Sequence, residues 1–326
     1  MALTINDTAY PGTVADTMIK KAVFDITTVK KGVVHVKTGI KKKHNLPNID
    51  ITNVLQSRTA TPTSSGTFTV DKVVLEPKST MGYVEFNPDD YSDHFYAEQL
   101  SQKLIDRKLP VNAENAMVSL FLARQMEGIE KGLHVGSLGY TTGLTGSGAN
   151  SQIKYFDGFI RKAIVAGTYL PVASPTAITS GNILSKFDAA IALVPTALLT
   201  DDSRFSTMKF CVSALDFQKF ELASVALTNK GRDIDGKTIA NYRGYDIVVL
   251  AGMPESTFYL TKATTDLDSN LWVGVNAMED ESVKLQPLQN NSELWFMKTL
   301  MAFDVQILKM EEFIMHTTKV SGDFVA

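Results

Sequence analysis

The pattern in this sequence with the most recognisable chemistry is a phosphate-loop spacing in its second half. Gly231–Thr238 reads G-R-D-I-D-G-K-T, which fits G-x-x-x-x-G-K-[ST], a loop whose backbone amides and lysine hold phosphate groups. Such a loop follows a buried strand and opens a long helix, whereas residues 220–227 have helical character and Gly244 comes six residues after the motif. Asp233 and Asp235 would also place two negative charges beside the phosphates. The pattern therefore favours a polar turn, with a nucleotide-binding enzyme as the remote alternative.

Other residue types that carry chemistry are few and scattered. The only cysteine, Cys211, lies in an apolar run and leaves neither a disulfide framework nor a cysteine-based zinc site to be built. No two histidines are four residues apart, so there is no H-E-x-x-H pattern. The acidic run Glu279–Glu281 is typical of a solvated turn, with a metal-binding or inter-subunit role as the alternative. No catalytic residue, metal site or cofactor is predicted, and the chain is not expected to be an enzyme. The five histidines are His35, His44, His94, His134 and His316.

The composition is that of a globular protein without a strong charge bias. Of 326 residues, 44% are hydrophobic and 21% are charged, which excludes a wholly disordered chain. The 32 Lys and Arg residues face 35 Asp and Glu residues, giving a net charge of -3, whereas a protein that grips nucleic-acid phosphate normally has a basic excess. Sequence-specific DNA binding is therefore disfavoured. The longest apolar stretch, 189–199, contains Pro195 and is too short to cross a membrane, so no membrane partner is expected.

The strongest charge cluster is the basic run Lys41, Lys42 and Lys43, followed by His44. Lysines on an exposed strand end keep that edge solvated and oppose aggregation. The same run fits a contact with an acidic patch on a neighbouring subunit. A nucleic-acid contact is the third interpretation, and an isolated run supports it only weakly.

The N-terminal part of the chain predicts an extended arm followed by a long two-stranded excursion. Residues 1–32 have little apolar periodicity and are expected to pack on something else. Apolar and polar residues alternate near Val34 and again near Val70, on either side of a loop rich in Thr, Ser, Pro and Gly. Because a lone hairpin is marginal in water, residues 33–86 need a neighbouring domain or another copy of the protein. The loop is Arg58–Thr67 and includes Thr61 and Ser64.

A long helix over 112–134 is the clearest single element. Asn112 is a suitable N-cap, and apolar residues then recur at helical spacing. Arg124 and Glu127 add charge in its C-terminal half. We expect a rod of roughly 30 Å that ends near Gly132 or Gly136.

The rest of the chain reads as an α+β domain and a returning tail. A glycine-rich linker at 136–148 is a plausible boundary, and shorter helices and strands follow it. The tail, 293–315, is rich in aromatic and β-branched residues and predicts strands that return to the long helix. Strands are predicted at 209–212, 246–250, 257–260 and 271–275, and Ser213 with Asp216 forms a capping-box-like pair.

This order of elements resembles that of the major capsid proteins of tailed bacteriophages, which have the Hong Kong 97-type or Johnson fold. The resemblance covers nearly the whole chain and depends mainly on element order. Phrases that look similar to the family's are Tyr155–Phe159, Tyr242–Val249, Gly252–Pro254, Leu294–Lys298 and Phe303–Ile307. It implies an N-terminal arm at 1–32, an extended E-loop at 33–86, a peripheral domain at 87–152 with a spine helix at 112–134, an axial domain at 153–276, and return strands with a C-terminal tail at 277–326.

The resemblance also implies what the chain does. It predicts a structural protein of the virion that assembles in the host cytoplasm, as hexamers and pentamers, into an icosahedral head enclosing double-stranded DNA without sequence-specific binding. Its partners would be other copies of itself, with portal, scaffolding and decoration proteins as further partners. An encapsulin-like nanocompartment shell protein is the alternative. The residues expected at contacts between subunits are Lys41, Lys42, Lys43, Arg58, Thr61, Ser64, Arg124 and Glu127.

Overall fold

The structure is a computed structural model of the 326-residue chain. It describes residues 8–10, 25–52, 54–61, 63–87, 111–138, 153–199, 204–226, 240–276, 283–288, 294–320 and 323. The phosphate-loop spacing at Gly231–Thr238 and the acidic run Glu279–Glu281 lie outside these residues, as does most of the predicted arm and linker.

The described residues form fourteen strands and seven α-helices, numbered here in chain order. The strands are β1 (Thr8–Tyr10), β2 (His35–Thr38), β3 (His44–Thr52), β4 (Thr67–Leu75), β5 (Lys78–Phe86), β6 (Leu170–Pro171), β7 (Met208–Val212), β8 (Asn241–Tyr242), β9 (Tyr245–Val249), β10 (Phe258–Lys262), β11 (Leu271–Asn276), β12 (Val283–Pro287), β13 (Trp295–Ile307) and β14 (Ile314–His316). The helices are α1 (Thr27–Lys30), α2 (Val111–Val135), α3 (Phe159–Ala166), α4 (Ile183–Ala192), α5 (Thr196–Leu199), α6 (Arg204–Thr207) and α7 (Ala214–Ala226).

Helix α2 is the long helix that the sequence predicts, one residue longer at each end. Its buried side chains recur at intervals of three and four residues, so they form one stripe along the rod. The C-terminal end packs closely on the segment before α3, because a Cβ at Gly136 would lie 2.4 Å from the carbonyl oxygen of Phe156. The buried stripe is Val118, Leu122, Met126, Ile129 and Leu133. Among the described residues, no helix is both long and apolar enough to span a membrane.

The first sheet is organised around β13. Along one edge β13 pairs with β5 over nine residues, and along its other edge it pairs first with β12 and then with β11. β1 extends the sheet beyond β12, and β2 runs parallel to β11 at the other end. One face of this sheet contributes Val273, Met297 and Phe303 to the core that α2 covers.

The second sheet has the order β6-β14-β10-β7-β9-β8 and lies between two hydrophobic cores. Side chains alternate along each strand, so neighbours in sequence enter different cores. Phe210 and Phe258 join the core under α4 and α7, whereas Cys211 and Tyr259 join the core that contains the α2 stripe. The capping-box pair predicted at the start of α7 is present, with the backbone N–H of Asp216 donating to Ser213 Oγ at 3.1 Å.

Strands β3 and β4 form a separate hairpin that projects from the first sheet. Their register runs from His44 opposite Leu75 to Thr52 opposite Thr67. A small core of Ile40, Leu46, Leu75 and Trp272 fastens its base. The predicted excursion of 33–86 is therefore too long, because β2 and β5, at its two ends, are hydrogen-bonded into the first sheet.

Three further elements make contacts across the predicted boundaries. β11, predicted within the axial part, is bonded to β13, with Val273 opposite Val305. β14, predicted among strands returning to the long helix, pairs with β10 of the second sheet. Helix α3, also placed in the axial part, packs on α2 and β13. The sheet to which a strand belongs is decided by its hydrogen-bonded partners, and not by the position of the glycine-rich linker. The division into peripheral and axial domains remains a prediction.

Candidate assembly surfaces

The loop of the hairpin presents the predicted contact residues Arg58, Thr61 and Ser64 to solvent. All three are exposed and make no hydrogen bond or ion pair with the described residues. Gly66 ends the loop with φ +95°, a conformation that glycine adopts without a Cβ clash. Leu55, in the same loop, is 97% exposed. This end of the hairpin thus offers both polar groups and an apolar side chain to a partner.

One face of β4 is largely apolar and uncovered. Phe68, Val70 and Val74 alternate along the strand and share this face with the exposed Lys72, and Phe68 is 63% exposed. Soluble monomers rarely leave such a row of large apolar side chains in water, and a two-stranded hairpin is marginal by itself. The sequence indicated the hairpin through its alternation near Val70, but it did not show that this face stays uncovered.

Ion pairs and a hydrogen bond to a carboxylate hold the base of the hairpin. Glu76 accepts from Lys43 at 3.1 Å and from Lys78 at 3.0 Å, and these two lysines lower the pKa of its carboxyl group. The backbone N–H of Glu76 donates to Asp304 Oδ2 at 2.8 Å, and Lys162 Nζ lies 2.7 Å from Asp304 Oδ1. Burial raises the pKa of Asp304 in spite of Lys162.

The three lysines of the basic run at the hairpin base differ in their contacts. Lys43 is engaged by Glu76 of its own chain, so this structure uses it to hold the hairpin. Lys41 and Lys42 are exposed and have no partner in the part of the chain that the structure describes. These two residues, rather than all three, remain available to another molecule.

The outer side of α2 carries the last pair of predicted contact residues. Arg124 lies 2.8 Å from Glu127, and Lys131 lies 3.1 Å from the same carboxylate, so the pair is satisfied within the helix. These two cations lower the pKa of Glu127. Leu120 is exposed nearby on the same helix. The predicted contact residues therefore occupy three different places, namely the hairpin loop, the hairpin base and the outer side of α2.

A further surface, which the sequence did not predict, is here called the bare sheet face. It lies on the side of β5, β13 and β12 that points away from α2. α2 packs against the opposite side so closely that a Cβ at Gly82 would lie 2.8 Å from Phe121. The side chains of the bare sheet face form three rows across the strands. Met81 lies opposite Leu300 in the first row, and Lys298 lies between Lys284 and Tyr83 in the second. Phe296 lies between Gln286 and Glu85 in the third row.

The bare sheet face combines apolar and basic groups. Met81 is 54% exposed, and the rings of Tyr83 and Phe296 lie 5.8 Å apart. Lys284 and Lys298 are directly opposite each other, and neither has a carboxylate partner among the described residues. Like charges in that position destabilise a sheet. Half-buried and buried residues alternate along 296–301 in the structure, but the residue types there, F-M-K-T-L-M, show no matching alternation of polar and apolar, so the sequence gives no clear signal of this face.

The remaining titratable groups of the described residues form no cluster that could hold a metal ion, since no three His, Cys, Asp or Glu side chains come together in a suitable group. Cys211 is buried, and this burial raises the pKa of its thiol to about 12, so it is a poor nucleophile. His35 packs on Trp272 with the ring centroids 4.2 Å apart.

No family model and no curated relative matches this sequence. Solved structures do match it over most of its length. A chain of the satellite phage P4 procapsid matches with a TM-score of 0.57 at 11% identity, over 93% of this chain and 98% of that chain. A chain of the native GTA particle capsid matches with a TM-score of 0.55 at 12% identity, over 89% of both chains. The capsid of cyanophage P-SCSP1u matches with a TM-score of 0.51 at 10% identity, over 88% of this chain and 86% of that chain.

These matches establish the fold. The chain has the α+β fold of phage capsid proteins, of the Hong Kong 97 type, as the resemblance in its element order predicted. The proteins that it matches are components of capsid shells and not enzymes.

Proposed function

We propose that this chain is the major capsid protein of a tailed bacteriophage, and that its copies form the hexamers and pentamers of an icosahedral head. The observation that supports this most is the pairing of a capsid fold with an uncovered apolar hairpin. A monomer gains nothing from exposing Phe68 and Val70, whereas a shell can cover these side chains at every contact between subunits.

The bare sheet face of a neighbouring copy is our proposed docking place for the hairpin. Phe68 and Val70 are apolar, as are Met81 and Leu300, which form one row of that face. The two surfaces differ, so the contact is heterologous, and a heterologous contact produces a ring when its rotation closes. Arg58, Thr61 and Ser64 would then lie at the far end of each contact, and Lys41 and Lys42 near its base.

Each such contact is small, but a subunit in a ring makes several of them. Interfaces that bury less than roughly 1,200 Å² are weak individually. Once one contact has formed, the next is made at high effective concentration, so many weak contacts together give a stable shell. This arrangement also leaves single contacts reversible during assembly.

The interior of the proposed shell would hold double-stranded DNA without gripping it. The net charge of -3 supports enclosure rather than tight phosphate binding. Assembly in the host cytoplasm, and binding to portal, scaffolding and decoration proteins, are parts of the same proposal. The encapsulin-like alternative shares the shell but differs in cargo. Neighbouring genes for a terminase and a portal support the phage head, and a ferritin-like or peroxidase gene supports the compartment.

Electron microscopy of the purified full-length protein tests the proposal. Shells, tubes or hexameric rings are expected. A strict monomer, with a radius of gyration of about 20 Å, contradicts it, since that is the size of one compact chain of this length. Phe68→Asp should abolish the assemblies. Leu267→Asp, at a 74% exposed apolar residue outside both proposed surfaces, is the matched control and should assemble normally.

A further inference from the structure

A buried polar cluster joins α1, α2 and the second sheet, and assembly does not use it. It comprises Thr28 on α1, Glu130 and His134 on α2, and Tyr259 and Cys211 on β10 and β7. All five side chains are buried. We call this group the anchor cluster.

Thr28 binds the carboxylate of Glu130 twice. Its backbone N–H donates to Oε2 at 3.2 Å, and its hydroxyl donates to Oε1 at 2.7 Å. The same hydroxyl oxygen lies 2.9 Å from His134 Nε2, and Nδ1 of that ring lies 3.3 Å from the hydroxyl of Tyr259. Cys211 lies directly opposite Tyr259 on the neighbouring strand β7.

The protons of the anchor cluster can be assigned from these contacts. The single hydroxyl proton of Thr28 is used on Glu130, so His134 must carry a proton on Nε2 to donate to Thr28. Nδ1 of the neutral ring is then the acceptor for the Tyr259 hydroxyl. Every donor therefore points toward one carboxylate, and the chain of bonds is complete only while Glu130 is ionised.

The anchor cluster is closed to solvent on the side of the turn after β9. A Cβ at Gly252 would lie 2.2 Å from the carbonyl oxygen of Glu130 and 2.8 Å from Cδ2 of His134. The only charged or titratable groups that face Glu130 from the described elements are His134, at 3.8 Å, and Tyr259. No lysine or arginine of these elements neutralises the carboxylate, so its stability as an anion depends on Thr28 and His134.

We propose that the contact between Thr28 and Glu130 is a proton-sensitive latch, which holds α1 on α2 at neutral pH and opens with uptake of one proton. Closed, the latch keeps the segment that leaves the N-terminal arm in the main core, through Ile26 and Val29. When the latch is open, Glu130 has lost both bonds from Thr28.

The direction of the pH effect follows from the two states. In the closed state burial acts to raise the pKa of Glu130, but nearby His134 and the two bonds from Thr28 outweigh it and lower this pKa. In the open state the bonds from Thr28 are gone, so the pKa rises from its closed value. The open state therefore binds the proton more readily, and closure is present at neutral pH and lost as the pH falls.

Hydrogen exchange of residues 25–33 in the full-length protein tests the latch. These amides, such as those of Lys30 and Lys31 bonded to Ile26 and Thr27, exchange when α1 detaches. After correction for intrinsic exchange, the opening constant should rise toward tenfold per pH unit in the acid range, because one proton is taken up. Glu130→Gln should remove this dependence. Glu127→Gln, the same change on the exposed side of the same helix, should keep it.

Threonine variants provide an independent arm of the test. Thr28→Val should raise the opening constant at pH 7 at least tenfold, and Thr28→Ser, which keeps both donors, should not. Thr27→Val changes the neighbouring residue identically and should resemble the wild type. Opening that is independent of pH in the wild type, or equally steep in Glu130→Gln, would overturn the proposal. None of these outcomes depends on whether the protein forms shells.

Discussion

Glu76 and Asp304 are 228 residues apart in sequence and are joined by one hydrogen bond, from the backbone N–H of Glu76 to Asp304 Oδ2 at 2.8 Å. The bond crosses from the hairpin base to the end of β13. Since Lys162 pairs with the same carboxylate, three separate segments of the chain meet at Asp304. One largely buried carboxylate therefore joins the base of the hairpin to β13 and to α3.

Removing the cation of this pair should lower the stability of the folded chain. Lys162→Met leaves the Asp304 carboxylate buried without a counter-ion, and we expect the free energy of unfolding to fall by about 3 kcal/mol. Lys309→Met breaks a more exposed pair, with Glu312 at 3.1 Å, and should cost less than about 1 kcal/mol. Urea titration of both variants measures the difference. Equal losses would show that Asp304 does not need Lys162.

His316 should make stability depend on pH near neutrality. The ring is buried and stacked on Phe258 at 5.3 Å, and neither nitrogen makes a hydrogen bond of normal geometry within the described part of the chain. Burial and nearby Lys186 lower the pKa of His316, while Ser256 and Asp216 oppose this only partly.

The sign of this effect is set by the unfolded chain, where the pKa of histidine is about 6.5. As the pH falls below that value the unfolded chain takes up the proton first, so stability is lost, by up to about 1.4 kcal/mol per pH unit. His316→Phe, which keeps the stack, should remove this part of the dependence. Thermal unfolding at pH 7.5 and pH 5.5 measures it, and identical pH profiles for the two proteins would contradict the prediction.

Lys298→Glu separates folding from assembly. Lys284 lies directly opposite, so the substitution replaces a like-charge pair by an attractive one and should stabilise the subunit by about 0.5 kcal/mol. If a neighbour's hairpin docks on the bare sheet face, the new carboxylate can pair with Lys72, which lies between Val70 and Val74 on the hairpin, so assembly should be maintained or strengthened. Calorimetry and electron microscopy of one preparation measure subunit stability and assembly separately, and loss of shells from a stabilised subunit would contradict this docking.

Gly252→Ala should be among the most damaging single-methyl changes in the chain. Its new Cβ would lie 2.2 Å from the Glu130 carbonyl oxygen, a backbone atom that cannot move aside, and we expect a loss of about 2–3 kcal/mol. Gly181→Ala adds the same methyl group, which meets only Thr179 Oγ1 at 3.9 Å, and should be close to neutral. Chemical denaturation of the two variants compares them.

Local patterns in the sequence predicted local structure well. The period of apolar residues over 112–134 located α2 to within one residue at each end. The Ser213 and Asp216 spacing predicted a cap that is present, because capping depends on residues three apart. The element order was sufficient to indicate the capsid fold.

Long-range pairing was not predicted, since it leaves little local signature. Nothing within 35–38 shows that β2 will run parallel to β11, and nothing in 78–86 shows that β5 will extend along β13. The bare sheet face was not predicted for the same reason, because its three strands come from distant parts of the chain. The contact residues predicted at the hairpin loop, at its base and on α2 remain predictions.

The central place of β13 has a consequence for how the chain folds during synthesis. The hydroxyl of Thr80 on β5 donates to the carbonyl of Met301, 221 residues later, so β5 leaves the ribosome long before its partner strand. Pairings at such separation raise contact order and slow folding. The first sheet therefore cannot close until β13 has emerged, and the surface that we propose for docking, which spans β5, β12 and β13, does not exist on a nascent chain that lacks it. Subunits can dock on this surface only after β13 has been made.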